Sequence, residues 1–339
     1  MNYRSLKLDA MHKESKFYLS NYPNLRRHSL FSFIIIFLIS GCGDSEEFAI
    51  EEPEFLRGEF LDENTYRVYP ENGDNFDVAE FRLWLPQQEE AIRAVLVLLH
   101  SHNSNGLGLA DAPEWQEFAG KQRLAILAVH LKSLNPATGF YGDARDGSGQ
   151  ALLEALSALA ERKNVAYANE LPFLLRGYSA GGIFSHSFSQ FLPERVIAFV
   201  NIRGGGLGEV SPVNRTIPVL MFYGAYDLEQ RNNHILEMVK RQRENGGRWG
   251  LVREEVDHYG GMEKPDGLIR EFFVKALEIR STTNPSILTE PDEAVGWLGN
   301  NETFGIYPFS LYPGNQVEAS WLIDAAFARK WQEFQTIVD

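Results

Sequence analysis

The pattern Gly177-Tyr178-Ser179-Ala180-Gly181 constrains this chain more than any other feature. An apolar run over 171–176 predicts a buried strand before it, and 183–191 reads as a helix after it. A turn this tight excludes bulk at its flanks, because the backbone at its centre is strained. It raises a serine hydroxyl on a sharp strand-to-helix bend. It also aims the first N–H groups of the helix at the same spot, where negative charge is stabilised. The plainer alternative is a glycine-rich turn whose serine only caps a helix.

The rest of the chain alternates strands with helices. Strands are expected at 65–69, 80–85, 94–99, 124–129, 196–202, 217–222 and 250–256. Helices are expected at 114–121, 150–161, 233–243 and 267–279. The runs at 94–99 and 124–129 are apolar throughout, as in strands buried on both faces. Such alternation implies an α/β fold, a mainly parallel sheet with helices on both faces and right-handed crossovers. Ligands of such sheets sit beyond the carboxyl ends of the strands.

A serine hydroxyl is a weak nucleophile and needs a base held in place by a third group. Asp227 follows the strand at 217–222, and His258 follows the strand at 250–256 with two glycines after Tyr259. In the order Ser179, Asp227, His258 the chain resembles the α/β-hydrolase superfamily, over about residues 65 to 281. Within it the likeness is to the compact dienelactone-hydrolase, feruloyl-esterase and polyester-depolymerase-like members. The resemblance implies Ser179 as nucleophile, His258 as general base and then acid, and Asp227 as the orienting carboxylate. Glu229 lies near enough to substitute for Asp227, whereas Asp257 points away from its neighbour His258 in extended chain.

The resemblance also implies two backbone donors for an oxyanion: the N–H of Ala180 and, from the loop after 94–99, that of His102. The family usually has His-Gly where this chain has His100-Ser101, so the loop departs from the pattern. The segment 134–149, with Phe140, Tyr141, Asp143, Arg145 and Asp146, is either a wall of the substrate pocket or a solvated connection. Residues 203–206, Arg-Gly-Gly-Gly, lack the Lys-Ser/Thr of a phosphate loop and read as a turn beside the pocket.

His100 and His102 with His130 could be half of a metal site, but no carboxylate motif completes the ligand set, and no metal or cofactor is expected. His186 is expected to be buried against the sheet and His234 to begin a surface helix. The chain has 339 residues and a net charge of −14, which disfavours nucleic acid as a partner.

The amino terminus carries Arg26, Arg27 and His28, an apolar run of about a dozen residues, too short to span a bilayer at ~20, and then Ser40-Gly41-Cys42. This is the layout of a signal peptide. Initiation at Met1 or at Met11 fits it. Ile39-Ser40-Gly41-Cys42 resembles the lipobox of bacterial lipoproteins, which implies acylation of Cys42, the one cysteine of the chain, and a lipid-anchored place in the bacterial cell envelope. Without residues 1–41, which hold six basic and two acidic groups, 26 basic and 44 acidic groups remain, a charge of −18.

The expected organisation is a signal peptide over 1–41, an acidic tether over 42–64, a hydrolase domain over 65–281 and an extension over 282–339 packed on it. In the extension a hairpin is expected around Gly299-Asn300-Asn301 and a helix over 320–335, with Phe327, Trp331 and Phe334 on one face. The expected activity is hydrolysis of a carboxylic ester, small or carbohydrate-linked, through an acyl-enzyme. A serine peptidase with the same triad and a non-catalytic surface binding protein on a hydrolase scaffold are the alternatives.

Overall fold

The computed structural model describes residues 57–87, 91–135, 139–165 and 168–336. The lipobox, Cys42 and the signal segment lie outside the described residues.

Nine strands form one sheet: β1 (Gly58–Phe60), β2 (Thr65–Val68), β3 (Val78–Trp84), β4 (Ala94–Leu99), β5 (Leu124–Lys132), β6 (Phe173–Tyr178), β7 (Val196–Ile202), β8 (Val219–Gly224) and β9 (Trp249–Glu254). Their order is β1-β2-β3-β5-β4-β6-β7-β8-β9. The pairings from β1 to β5 are antiparallel, and those from β5 through β4 to β9 are parallel. The sheet begins at Gly58, inside the stretch expected to be a tether. Arg57 anchors that edge through Glu154 at 2.6 Å and through Asp74.

Parallel strands need covering on both faces, and the strand residues divide accordingly. Val95, Val97 and Leu99 of β4 point to one face, which α2 (Ser148–Arg162), α3 (Ala180–Phe191) and α4 (Glu229–Glu244) cover. Ala94, Leu96 and Leu98 point to the other, where α1 (Pro113–Gln122) and α5 (Glu263–Arg280) pack through Trp115, Ile269 and Phe273. This is the expected α/β arrangement, a mainly parallel sheet covered by helices on both faces. After β5 the chain returns to the far side of β4, so the winding reverses there and opens a crevice at the carboxyl ends of β4 and β6.

The carboxyl-terminal segment forms a second sheet, β11-β10-β12, from β10 (Trp297–Gly299), β11 (Ile306–Pro308) and β12 (Ser320–Leu322), followed by α6 (Ala325–Thr336). β10 and β11 are the expected hairpin. The expected helix over 320–335 instead starts as strand β12, and α6 begins after Asp324, whose carboxylate accepts from Phe327 N at 2.7 Å.

This segment closes the free edge of β9. Ser320 Oγ accepts from Leu251 N at 2.7 Å, and Gln335 Oε1 accepts from Arg253 N at 3.1 Å. The Trp331 indole N–H donates to Leu251 O at 2.6 Å. Side chains thus take the place of a tenth strand along Leu251 and Arg253 of this edge.

Candidate active site

Ser179 joins β6 to α3 with φ 54° and ψ −116°, a strained conformation for a residue with a side chain. Its N–H donates to Ile202 O at 2.8 Å, and its carbonyl accepts from Gly182 N at 2.9 Å. The flanking glycines have a steric cause. A Cβ on Gly177 would lie 2.1 Å from the Gly181 carbonyl oxygen, and one on Gly181 would lie 2.6 Å from Leu99 Cβ. The two arms of the turn and the end of β4 touch at these points.

Three elements converge on the hydroxyl. His258, after β9, places Nε2 3.0 Å from Ser179 Oγ. Its Nδ1 lies 3.1 Å from Asp227 Oδ2, after β8. The other carboxylate oxygen, Asp227 Oδ1, accepts from Leu228 N at 2.7 Å and from the guanidinium of Arg231. The Asp227 side chain is only 2% exposed, so its three partners replace water. Burial is the largest influence on His258 and holds its imidazole below the ordinary histidine range; Arg231 adds to this, and the Asp227 contact opposes it. A neutral imidazole facing a hydroxyl can take its proton.

Glu229 is in the first turn of α4 and is not part of this relay. Asp257 turns onto its own loop, accepting from Tyr259 N at 2.8 Å.

The loop after β4 reaches the elbow through His100, whose carbonyl lies 2.7 Å from where a Gly181 Cβ would stand. His102 is exposed on this loop, its ring stacked on Tyr141 at 6.0 Å and 11° and beside Phe140 at 5.6 Å. Asn103 has φ 55° and donates its N–H to the Tyr141 hydroxyl at 3.3 Å. Its side chain bonds both backbone groups of Ser133. Within 134–149, Tyr141 is therefore neither a solvated connection nor a bare wall: it props the loop that carries His102. Burial pushes its phenol up to about 12, so it stays neutral. A small polar recess lined by His100, Ser101, Ser104 and Tyr141 lies under the same loop.

Four residues absent from the expected set hold this site together. Arg231 reaches Asp227 from the first turns of α4. Tyr178, the variable residue before the serine, donates its hydroxyl to His258 O at 2.8 Å. Arg203, fully buried at the end of β7 with φ 56°, directs Nη1 at the carbonyls of Asp257, His258 and Gly260, at 3.1, 3.1 and 2.9 Å. Glu254 stands 3.1 Å from Arg203 Nε, an ionic contact without hydrogen-bond alignment. Burial pushes the Glu254 carboxyl up to about 7 against the pull of Arg203. At 203–206 the chain bends at Arg203 without a hydrogen-bonded turn, and the arginine side chain faces inward. Only the two glycines after Tyr259 hinted at this: a Cβ on Gly260 would lie 2.8 Å from Arg203 Nη1.

His130 stands opposite Glu80 in the β3–β5 register, with Nδ1 2.8 Å from Glu80 Oε2. Among the described residues no group of three or more His, Cys, Asp or Glu is arranged to hold a metal ion. His186 is buried against Phe199 and Trp249, and burial pushes it down to about 4. His234 is exposed on α4.

No family model matches this sequence, and no curated protein matches it. Among solved structures the chain is similar to a thermostable esterase, with TM-score 0.41 and 20% identity, over 56% of this chain and 53% of that one. The match thus spans about half of the esterase's length. It is also similar to an S-formylglutathione hydrolase from Staphylococcus aureus, with TM-score 0.45 and 13% identity, over 63% of this chain and 96% of that one. A poly(3-hydroxybutyrate) depolymerase from Bordetella parapertussis gives TM-score 0.45 and 17% identity, over 62% and 88%.

Proposed function

We propose that the chain is a lipid-anchored serine hydrolase that cleaves carboxylic esters through an acyl-enzyme. The observation that carries the reading is the relay from Asp227 Oδ2 through His258 to Ser179 Oγ, at 3.1 and 3.0 Å. In the first step Ser179 Oγ attacks the ester carbonyl as its proton passes to His258 Nε2. Asp227 holds the Nδ1 proton and stabilises the imidazolium that forms. The carbonyl oxygen takes up negative charge, received by the N–H of Ala180 at the start of α3 and by that of His102. Each such donor contributes about 10²- to 10³-fold. Collapse returns the proton from His258 to the departing alcohol, and water then releases the acid by the same path.

Tyr226, Leu228 and Tyr259 are exposed and adjoin Asp227 and His258 in the chain, which gives the rim apolar surface suited to an acyl or aryl group. The anchor rests on residues 39–42 and places the protein in a bacterial envelope, with Cys42 as the lipidated residue.

A panel of short acyl, feruloyl and acetylated-sugar esters, run beside peptides, tests the reading. Ester turnover that drops by about 10³-fold or more in Ser179→Ala supports it. Cleavage of peptides alone would favour the peptidase. Inertness to all substrates and to a fluorophosphonate would leave a binding protein on a hydrolase scaffold.

A further inference from the structure

Hydrogen bonds to the ring of His258 align it with Ser179 and Asp227, yet they cannot fix where its backbone sits. The loop after β9 is short and carries two adjacent glycines, Gly260 and Gly261, that offer no side chain to anchor it. Asp257 accepts from Tyr259 N within the loop, and Tyr226 N donates to Val256 O at 3.0 Å before it, but the carbonyls of Asp257, His258, Gly260 and Gly261 are held by side-chain donors from the ends of β6 and β7. The Arg203 guanidinium reaches the carbonyls of residues 257, 258 and 260 through Nη1, and that of Gly261 through Nη2 at 3.4 Å. The Tyr178 hydroxyl reaches the His258 carbonyl a second time, at 2.8 Å. The guanidinium also lies over the Tyr178 ring, 5.6 Å from its centre.

We propose that Arg203 and Tyr178 are positioning residues that set the height of His258 by gripping the main chain of its loop, and so tune catalysis without touching substrate. The proposal rests on the reading of Ser179, Asp227 and His258 as a triad. Its physical logic is that the planar guanidinium, held rigidly in place, presents Nη1 to three carbonyls and Nη2 to a fourth, whereas an ammonium is one compact donor centre on a flexible stem and fixes those positions less well. Tyr178 is next to the nucleophile in the chain, so one hydroxyl couples the height of the serine turn to that of the base. Glu254 stands 3.1 Å from Arg203 Nε and, with its carboxyl pushed up to about 7 by burial, offsets the buried cation only in part near neutral pH.

Arg203→Lys keeps a cation beside Glu254 and removes the fork; Tyr178→Phe removes one oxygen. For an imidazole displaced by about 1 Å, Arg203→Lys should lower kcat by about 10²-fold. Tyr178→Phe should lower it by about 3- to 10-fold, the worth of one hydrogen bond. KM should stay within about twofold in both, because no substrate contact is lost. The rate of fluorophosphonate labelling at Ser179 should fall in step with kcat, since labelling needs the aligned base but little substrate recognition. The double variant should lose less than the product of the two single losses, because both act through one carbonyl.

Wild-type kcat and labelling rate in both folded variants would overturn the proposal, as would losses confined to KM. If Arg203→Lys fails to fold, Tyr178→Phe decides alone, and unchanged kcat and labelling there overturn it. Wild type and Ser179→Ala run alongside separate the two levels. A wild type that neither hydrolyses nor labels sinks the triad itself and the brace with it. An active wild type with indifferent brace variants sinks only the brace.

Discussion

Replacing Asp227 by asparagine should do more than remove a charge. Asp227 Oδ1 accepts from Leu228 N at 2.7 Å and from Arg231, so an amide at this position must present its oxygen to those two donors. Its NH₂ group is then forced to the side where Oδ2 now meets His258 Nδ1 at 3.1 Å. Two donors cannot face each other, so Nδ1 must give up its proton, and the proton moves to Nε2. That nitrogen lies 3.0 Å from Ser179 Oγ and becomes a donor to the hydroxyl instead of its base. The geometry survives while the chemistry is reversed, at a loss of about 10⁴-fold in kcat, or about 5 kcal/mol of barrier. Initial rates on an activated short acyl ester, with unfolding curves to confirm an intact fold, measure it. An asparagine variant within tenfold of wild type would refute the reasoning about the tautomer.

Other perturbations follow from the same contacts. Because His258 is held below the ordinary histidine range, first by burial and then by Arg231, the acid limb of kcat/KM should lie below that range. Arg231→Met removes a cation that disfavours the imidazolium, so the limb should move to higher pH; a limb that stays put or moves down contradicts this. His186 is neutral when folded, pushed down to about 4 from the ordinary 6.5. Its contribution to stability is therefore whole above the ordinary value and is lost as pH falls from there toward 4. The loss should be on the order of 3 kcal/mol, read from urea midpoints as the change between the two ends in wild type minus that in His186→Leu, a difference that cancels the opposite contribution of Glu254, whose carboxyl is pushed up to about 7. Trp331→Ala empties a fully buried site and takes the indole donor from Leu251 O, leaving it the Ser320 Oγ contact at 3.4 Å, and should cost about 3–5 kcal/mol in the same assay. A loss under 1 kcal/mol would mean that the tail does not share the core.

The elbow, the places of Asp227 and His258 just past their strands and the strands at 94–99 and 196–202 were legible because each is written in adjacent residues. A glycine pair at fixed spacing, an apolar run and a carboxylate just past a strand need no knowledge of distant chain. The grip of Arg203 was not legible, since its partners are main-chain carbonyls more than fifty positions away and carry no residue signature. The partner of His130 was not legible for a related reason: Glu80 becomes its neighbour only when β3 pairs with β5. Strand β1 is three residues long, too short to show a period, and is fixed by Arg57 rather than by an apolar pattern. The start of α6 was misplaced although a signal existed. Asp324 is a helix cap, and the aromatic spacing from Phe327 to Phe334 was extended backwards across it.

Quenching the protein during turnover of an activated short acyl ester and weighing it intact, then locating any added mass by peptide, tests the central claim most directly. One acyl group per chain on the peptide holding Ser179, absent from Ser179→Ala, is the predicted result. Turnover that continues in Ser179→Ala, or an acyl group found on another residue, would contradict it.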